Sequence, residues 1–261
     1  MLEALSGVAQ QRGRVHAAIL SVDLGDLREG IWPDDLIPFA KAADRLPNIH
    51  IKGLATNLAC FSGVMPDEDN MKQLVELAAE VERDLDCQLE CISGVNSSGL
   101  ELIAAGGMPA RVNHARIGEA IVLGREKTHR KPWTDTFQDA FVLEAEVLEL
   151  KKKPSVPLGK RGEDAFGQRP AFEQRGEVLR ALLNVGREDI DIEGLTPLDP
   201  GTAILGGSSG YLVVDVSAVA GSIRVGDSLA FSLNYAALLA AMTSAYVSKQ
   251  AYQAGVRLEE P

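Results

Sequence analysis

The chain has 261 residues, of which 46% are hydrophobic and 24% charged, and its formal net charge is −11. This composition is that of a globular protein able to bury a sizeable core. The acidic balance argues against a nucleic-acid or anionic-membrane partner, and no apolar run approaches the roughly 18 residues that a membrane span requires.

The first half of the chain alternates apolar runs of strand length with helical patterns. Val15 to Val22 is a continuous apolar run bounded by charged residues, which is typical of a parallel strand covered on both faces. The further predicted strands are Ile49 to Leu54, Leu89 to Ile92 and Val112 to Ile117, and the predicted helices are Pro33 to Leu46, Glu68 to Leu85 and Ser98 to Ala105. Strand and helix repeating at roughly 30-residue spacing indicate a parallel sheet or a (β/α)8 barrel.

The second half has a different pattern. Phe141 to Leu150 alternates apolar and acidic residues, as a half-buried strand does. Short strands are predicted at Leu179 to Val185, Tyr211 to Val216 and Ser228 to Leu233, with a turn at Val225 to Asp227. We therefore predict an α/β chain with a barrel domain over 1–137 and a small C-terminal β-domain over 138–261. Since a closed barrel needs eight βα units and only four or five fit here, we expect a (β/α)8 TIM-type barrel that is N-terminally truncated.

The cysteines and the N-terminus suggest the compartment. Cys60, Cys87 and Cys91 match no zinc signature, and their odd number does not suit a disulfide framework. We expect reduced thiols, no metal site and, since no secretory signal is visible, a cytoplasmic protein.

Two loops that follow predicted strands carry candidate binding residues. In the loop over Val22 to Gly30, Arg28 is suited to fork onto a carboxylate or phenolate oxygen. The alternative is a surface turn in which Asp and Arg merely pair. In the loop over Ser93 to Ser98, Asn96 and Ser97 could form an anion site or simply cap the next helix.

Two further segments give weaker signals. Arg116 to Ile121 places a guanidinium beside Gly118, which suits a phosphate-bearing ring, although the arginine could instead cap a strand end. Gly206 to Tyr211 could offer backbone donors or be a flexible turn.

The order and spacing of these segments resemble the alanine racemase fold group of pyridoxal 5′-phosphate (PLP) enzymes, most closely its ornithine racemase-like branch. The resemblance extends over nearly the whole chain. It rests on the runs Asp23 to Asp35 (DLGDLREGIWPDD), Gly53 to Leu58 (GLATNL), Arg116 to Ile121 (RIGEAI) and Ala241 to Ser244 (AMTS). It implies a PLP cofactor, a small amino-acid substrate and a homodimer.

The resemblance also implies roles for individual residues. Arg28 matches the arginine that reaches the phenolic oxygen of the cofactor and the substrate carboxylate, and Asn57 matches a position beside the cofactor ring. Arg116 matches the arginine that faces the pyridine nitrogen. The remaining implied cofactor-binding residues are Asn96 beside the phosphate-binding Ser97, the backbone amides of Gly118 and Glu119 at the phosphate, and Tyr235 near it.

The chain departs from the family pattern in its proton-transfer groups. The family's cofactor-bearing lysine lies upstream of the segments present here, and by barrel arithmetic about three βα units, on the order of 100 residues, are absent. Lys52 and Lys151 to Lys153 are poor substitutes. The segment equivalent to the one that supplies the second base has no tyrosine, so Asp164 and Tyr211 are the candidate acid/base residues. Gly210 also stands where an acidic residue is expected.

We therefore predict a PLP-dependent amino-acid racemase that acts on ornithine by removing the Cα proton and returning one from the opposite face. One alternative is a non-catalytic PLP- or phosphate-binding remnant. A fold-related decarboxylase is disfavoured because no cysteine follows Cys91, and a PLP carrier protein is disfavoured because such proteins lack the β-domain.

Overall fold

The computed structural model describes residues 1–253 and 256–257. The chain divides into two compact units, Met1–Gln138 and Asp139–Pro261, so the division falls one residue from the boundary predicted at 137/138. Within the described residues, no helix combines the length and the apolar character needed to cross a membrane.

The first unit, in its described residues, is built on four parallel strands in the order β1-β2-β3-β4. Because these strands are parallel, their carboxyl ends and the loops that follow them meet at one edge of the sheet. The strands are β1 (His16–Val22), β2 (Ile49–Thr56), β3 (Cys91–Asn96) and β4 (His114–Arg116). The helices are α1 (Leu2–Gln11), α2 (Leu36–Asp44), α3 (Glu68–Leu85), α4 (Leu100–Ala104) and α5 (Glu119–Leu123).

Helix α3 shows how the local sequence sets this unit. The carboxylate of Asp67 accepts the amide of Asn70, whose side chain accepts the amide of Asp67, so a reciprocal cap starts the helix. The buried positions recur every three or four residues, which directs one apolar stripe at the sheet. They are Met71, Leu74, Ala78 and Val81.

Close approach of β2 and β3 depends on a glycine. A Cβ atom added to Gly53 would lie 2.0 Å from the carbonyl oxygen of Cys91, far inside van der Waals contact. Only glycine therefore allows the backbone approach at this point, which is upstream of the polar loops.

The second unit contains, in its described residues, a six-stranded antiparallel sheet in the order β7-β10-β5-β6-β9-β8. Phe231 is fully buried in its apolar core. The strands are β5 (Val142–Pro154), β6 (Glu177–Leu183), β7 (Leu195–Pro197), β8 (Ala203–Gly207), β9 (Leu212–Asp215) and β10 (Ser228–Leu233), followed by α6 (Tyr235–Thr243) and the short pair β11 (Tyr252–Gln253) and β12 (Val256–Arg257).

Several predicted elements need correction. The third strand, predicted at 89–92, is β3 (Cys91–Asn96), so most of the loop predicted over 93–98 is strand and the rest begins a 3-10 turn at Ser97. The segment over 206–211 begins with the last two residues of β8 and continues as the turn before β9, in which the amide of Ser208 donates to the carbonyl of Tyr211. No bounds were predicted for strands β7, β8, β11 and β12 or for helices α1, α5 and α6.

Candidate active site

Two buried aspartates shape the loop that follows β1. Asp23 accepts the amides of Gly25 and Leu27 at 2.8 and 3.1 Å. Asp26 reaches across to the loop after β2 and accepts three consecutive amides there, those of residues 60, 61 and 62 at 2.8–3.1 Å. Burial acts to raise the pKa of Asp26, but these amides outweigh it and the pKa lies below its ordinary value. The loops after β1 and β2 are thus held together by a carboxylate.

Arg28 lies on this first loop and pairs with its neighbour Glu29. Both Nε and Nη2 of Arg28 contact the Glu29 carboxylate, the latter at 2.8 Å. Burial acts to lower the pKa of Arg28, yet the hydrogen bond and charge of Glu29 raise it. Glu29 also accepts a hydrogen bond from Asn57, whose side-chain amide donates to Oε1 at 3.2 Å. Arg28 thus pairs with Glu29 and not with an aspartate of its loop, and its role in binding a ligand remains a prediction.

Asn57 and Asn96 connect the ends of β2 and β3. The Nδ2 of Asn96 donates to the Oδ1 of Asn57 at 2.9 Å and to the carbonyl of Leu58 at 2.8 Å. It also lies 3.3 Å from the thiol of Cys60. Asn96 also caps the turn that follows β3, because its Oδ1 accepts the amide of Ser98 at 2.8 Å. Capping was one of the two roles predicted for this segment, the other being an anion site.

Ser97 connects the end of β3 to the start of α5. Its Oγ accepts the amides of Gly118 and Ala120 at 3.2 and 3.1 Å. The next residue, Ser98, is also buried, but its hydroxyl has no hydrogen-bond partner among the described residues. Burial raises the pKa of Glu119, the first residue of α5, while the charge of Lys127 acts in the opposite direction.

Arg116 spans the ends of three strands. Its guanidinium donates to the carbonyl of Thr56 at 2.6 Å and contacts the hydroxyl of Ser93. That hydroxyl in turn lies 2.8 Å from Nδ1 of His114. Burial lowers the pKa of Arg116 and the charge of Glu29 opposes this effect. Arg116 therefore does more than cap its own strand.

The structure brings most of the predicted site residues together. Hydrogen bonds link them, directly or through an adjacent residue, at the carboxyl edge of the parallel sheet. They are Arg28, Asn57, Asn96, Ser97, Arg116, Gly118 and Glu119.

Three predicted residues lie in the second unit. The carboxylate of Asp164 accepts the amides of Phe166 and Gln168 within its own loop. Tyr211 lies in the turn before β9 and Tyr235 begins α6, and both are about half exposed. Their roles at the site remain predictions.

Sequence reasoning missed three polar residues of the first unit. Glu29 and Cys60 contact the predicted residues directly, and Nζ of Lys127 lies 3.5 Å from the Cys60 thiol. Glu29 was open to detection, because a carboxylate directly after a binding arginine is a natural partner for it. The other two come together only because separate loops converge in the fold.

A separate group in this unit is formed by Glu101, Glu126 and His129, whose ligand atoms lie within 4.8 Å of one another. Both carboxylate oxygens of Glu126 accept the amide of His129, and one also accepts that of Lys131. Glu126 thereby acts as the anchor of its own loop.

Comparison with known proteins shows which sequences this chain resembles. The family profile described as "Alanine racemase, N-terminal domain" matches residues 1–126. The ornithine racemase of Acetoanaerobium sticklandii is 42% identical over 250 residues, which cover 95% of this chain and 71% of that protein. The lysine racemase of Thermotoga maritima is 41% identical over 234 residues, which cover 88% of this chain and 64% of that protein.

The fold comparison agrees. The solved alanine racemase of Clostridium difficile 630 superposes with a TM-score of 0.64 at 14% identity, covering 99% of this chain and 70% of that one. The predicted fold class, a (β/α) barrel-type domain followed by a β-domain, is confirmed. Together with the identity to ornithine racemase, these matches show that the chain belongs to the alanine racemase family.

Proposed function

We propose that this protein is an amino-acid racemase that uses PLP, and that ornithine is its substrate. The observation that carries the proposal is the hydrogen-bonded group of Arg28, Asn57, Ser97 and Arg116 at one edge of the parallel sheet. Enzymes of the alanine racemase family depend on PLP, and relatives that are 42% and 41% identical are an ornithine and a lysine racemase.

The residues present fit this cofactor. The hydroxyl of Ser97 and the amides of Gly118 and Glu119 would hold its phosphate, and the buried hydroxyl of Ser98 has no partner among the described residues. Arg116 would face the pyridine nitrogen. Bound PLP supplies an electron-withdrawing ring that makes the Cα proton of an amino acid removable.

Arg116 favours racemisation over other reactions of an amino acid. An arginine keeps its proton at physiological pH, so it does not transfer that proton to the pyridine nitrogen facing it. The ring is then a weaker electron sink, which suits a reaction that only removes and returns one proton. Hydrogen bonds to Thr56 and Ser93 hold the guanidinium in place for this role.

Arg28 would bind the substrate carboxylate. Glu29 occupies its Nε and Nη2, which leaves Nη1 to donate to a ligand. Asn57, held by the same Glu29, would lie beside the ring. The pairing thus sets the direction from which an amino acid is bound.

The proton-transfer groups are assigned only in part, because the family's cofactor-bearing lysine has no counterpart in this sequence. We assign the second acid/base to Asp164 or Tyr211 and a phosphate contact to Tyr235, and we propose a homodimer that completes the site. We also propose a cytoplasmic location, in which the free thiols of Cys60, Cys87 and Cys91 would stay reduced.

The test is exchange of the Cα proton with solvent. The purified protein is incubated with PLP and L-ornithine in D2O. The products are separated by chiral chromatography, and their deuterium content is measured by mass spectrometry. D-ornithine carrying one deuterium is the expected product. We expect Arg28→Lys to raise KM for ornithine, whereas Arg83→Lys on the exposed face of α3 leaves it unchanged.

The other outcomes identify the alternatives. PLP binding without deuterium incorporation would favour a non-catalytic cofactor-binding protein. Release of carbon dioxide with a diamine product would favour the decarboxylase.

A further inference from the structure

Lys127 is a cation at the edge of the candidate site that the proposed mechanism does not use. Its Nζ lies 3.5 Å from the Cys60 thiol, which in turn contacts the side chains of Asn57 and Asn96 at 3.4 and 3.3 Å. The ammonium is thus next to the two amides that connect the ends of β2 and β3.

The loop that carries Lys127 is built to hold it there. Glu126 is buried, and its carboxylate accepts the amides of His129 and Lys131. The backbone pairs again between Arg125 and Pro132. These contacts close the loop over residues 125–132 and hold the backbone of Lys127 at this place in the fold.

Lys127 differs from the other lysines of its unit in combining partial burial with the lack of a close ion pair. Lys41, Lys52 and Lys72 each lie within 4.0 Å of a carboxylate, and Lys131, which like Lys127 has none that close within residues 1–138, is exposed whereas Lys127 is partly buried. The charge of Glu119 acts on Lys127 only at longer range. An ammonium without a close ion-pair partner is available to an anion.

A second observation concerns the turn after β3, which the loop of Lys127 contacts. The Ser98 hydroxyl is buried without a hydrogen-bond partner among the described residues, although buried polar groups are as a rule satisfied. The Thr128 hydroxyl, next to Lys127, lies 3.5 Å from the carbonyl of Ser98. The loop of Lys127 and the turn after β3 therefore share a surface.

We propose that Lys127 binds the phosphate group of the cofactor as a point charge. This inference rests on the proposed function. The donors assigned to the phosphate, the Ser97 hydroxyl and the backbone amides of Gly118 and Glu119, are neutral, and the nearby Glu119 carboxylate repels an anion. A phosphate ester carries about −1.5 to −2 charges at neutral pH. A cation would offset this charge, and lysine is a common phosphate ligand.

The experiment compares PLP with pyridoxal, which has the same ring and aldehyde but no phosphate. Dissociation constants for both are measured spectroscopically on the unsubstituted protein, K127Q, K127R and the control K131Q, which removes an exposed lysine of the same loop. We expect K127Q to weaken PLP binding at least tenfold and to leave pyridoxal binding unchanged. K127R should retain most of the affinity, and K131Q should bind as the unsubstituted protein does.

Three results would overturn the inference while leaving the proposed function intact. They are unchanged PLP affinity in K127Q, an equal loss for PLP and pyridoxal, and a borohydride-reduced covalent adduct mapped to Lys127, which would show that the amine reacts with the aldehyde instead. If the unsubstituted protein binds no PLP, the proposed function itself fails and this inference with it. Equal tryptophan-fluorescence unfolding midpoints for all variants would verify that each is folded.

Discussion

The two units bury polar side chains in different places. Among the described residues, eight of the twelve buried polar or charged residues lie in Met1–Gln138 and four in Asp139–Pro261. In the first unit most of them lie at the carboxyl edge of the sheet and hold the candidate site, as Asp26 does. In the second unit Asp215 holds the turn after β9, where it accepts the amide and hydroxyl of Ser217, and Asp189 accepts the hydroxyl of Ser244 at the end of α6.

The strands differ in the same way. In β5 the burial alternates residue by residue, whereas in β3 four consecutive residues are buried. A strand covered on both faces leaves its end as the place where side chains can meet a ligand. The comparison teaches that the first unit concentrates its chemistry at one edge, while the second contributes an apolar core.

The largest expected effect tests whether the two cores are independent. Phe231→Ala removes a fully buried ring from the second unit and should cost about 3–5 kcal/mol of unfolding free energy. Urea unfolding followed by far-UV circular dichroism should show this loss. Trp32 and Trp133, the two tryptophans of the chain, both lie in the first unit, so their fluorescence transition should stay in place.

The control is Leu158→Ala, which truncates a largely exposed side chain of the same unit and should change neither transition. Equal shifts of both signals in Phe231→Ala would mean that the two cores unfold as one, and the comparison would fail.

The next effect concerns the loop anchor. Asp26→Ala leaves three backbone amides without their charged acceptor and should destabilise the first unit by about 2–3 kcal/mol. The pKa of Asp26 is lower in the folded protein than its ordinary value of 3.8. The ionised carboxylate therefore stabilises the folded state fully above pH 3.8, and this stabilisation is lost as the pH falls through the folded pKa.

Tryptophan-fluorescence unfolding at pH 7 and at pH 3 measures both effects. The exposed Asp34→Ala serves as the matched control. A full loss of stability that persists below the folded pKa would contradict the assignment to the ionised carboxylate.

A smaller effect is expected at Glu29, which holds Arg28 and Asn57. Glu29→Gln should raise KM for ornithine about tenfold, equivalent to about 1.4 kcal/mol, because the guanidinium loses its fixed direction. Glu29→Asp should recover part of the loss, and Glu76→Gln on α3 should have no effect. Tighter substrate binding in Glu29→Gln would instead show that the ion pair competes with the substrate carboxylate.

The smallest effect lies on the second unit. Lys151 and Lys153 hold the pKa of the exposed Glu149 to about 2 through their hydrogen bonds. The ionised Glu149 therefore stabilises the folded state above its usual pKa of 4.5, and this stabilisation disappears as the pH falls toward 2. Carbon-13 NMR titration of the carboxyl group measures it, and 1 M salt should raise the pKa since exposed pairs are screened. A pKa near 4.5 at low salt would show that the ion pairs do not form.

The sequence predicts the fold best where one pattern dominates. Helix α3 and strand β10 begin and end where predicted, because their periodicity is clear over the whole element. Strand β3 is displaced because Ser93 and Gly94 interrupt its apolar run. A Cβ at Gly94 would lie within 2.8 Å of Met71 and Val112. Helix α6 escaped prediction because its residues are apolar on almost every side and show no helical stripe.

The candidate site was predictable only in part. Ser97 and Arg116 stand directly at strand ends, and Arg28 lies in the loop that follows β1, so local position indicates all three. Cys60 and Lys127 are 67 residues apart and meet through loop convergence, which no local pattern encodes. Residues on a second unit, such as Tyr211, are indicated by resemblance alone.

The hydroxyl of Ser93 joins two side chains of the neighbouring strand β4. It contacts the guanidinium of Arg116 and lies 2.8 Å from Nδ1 of His114. Alternate residues of a strand lie on the same face of the sheet, so His114 and Arg116 reach the same hydroxyl. A substitution of Ser93 would therefore disturb an imidazole and a guanidinium together, although neither is its neighbour in the sequence.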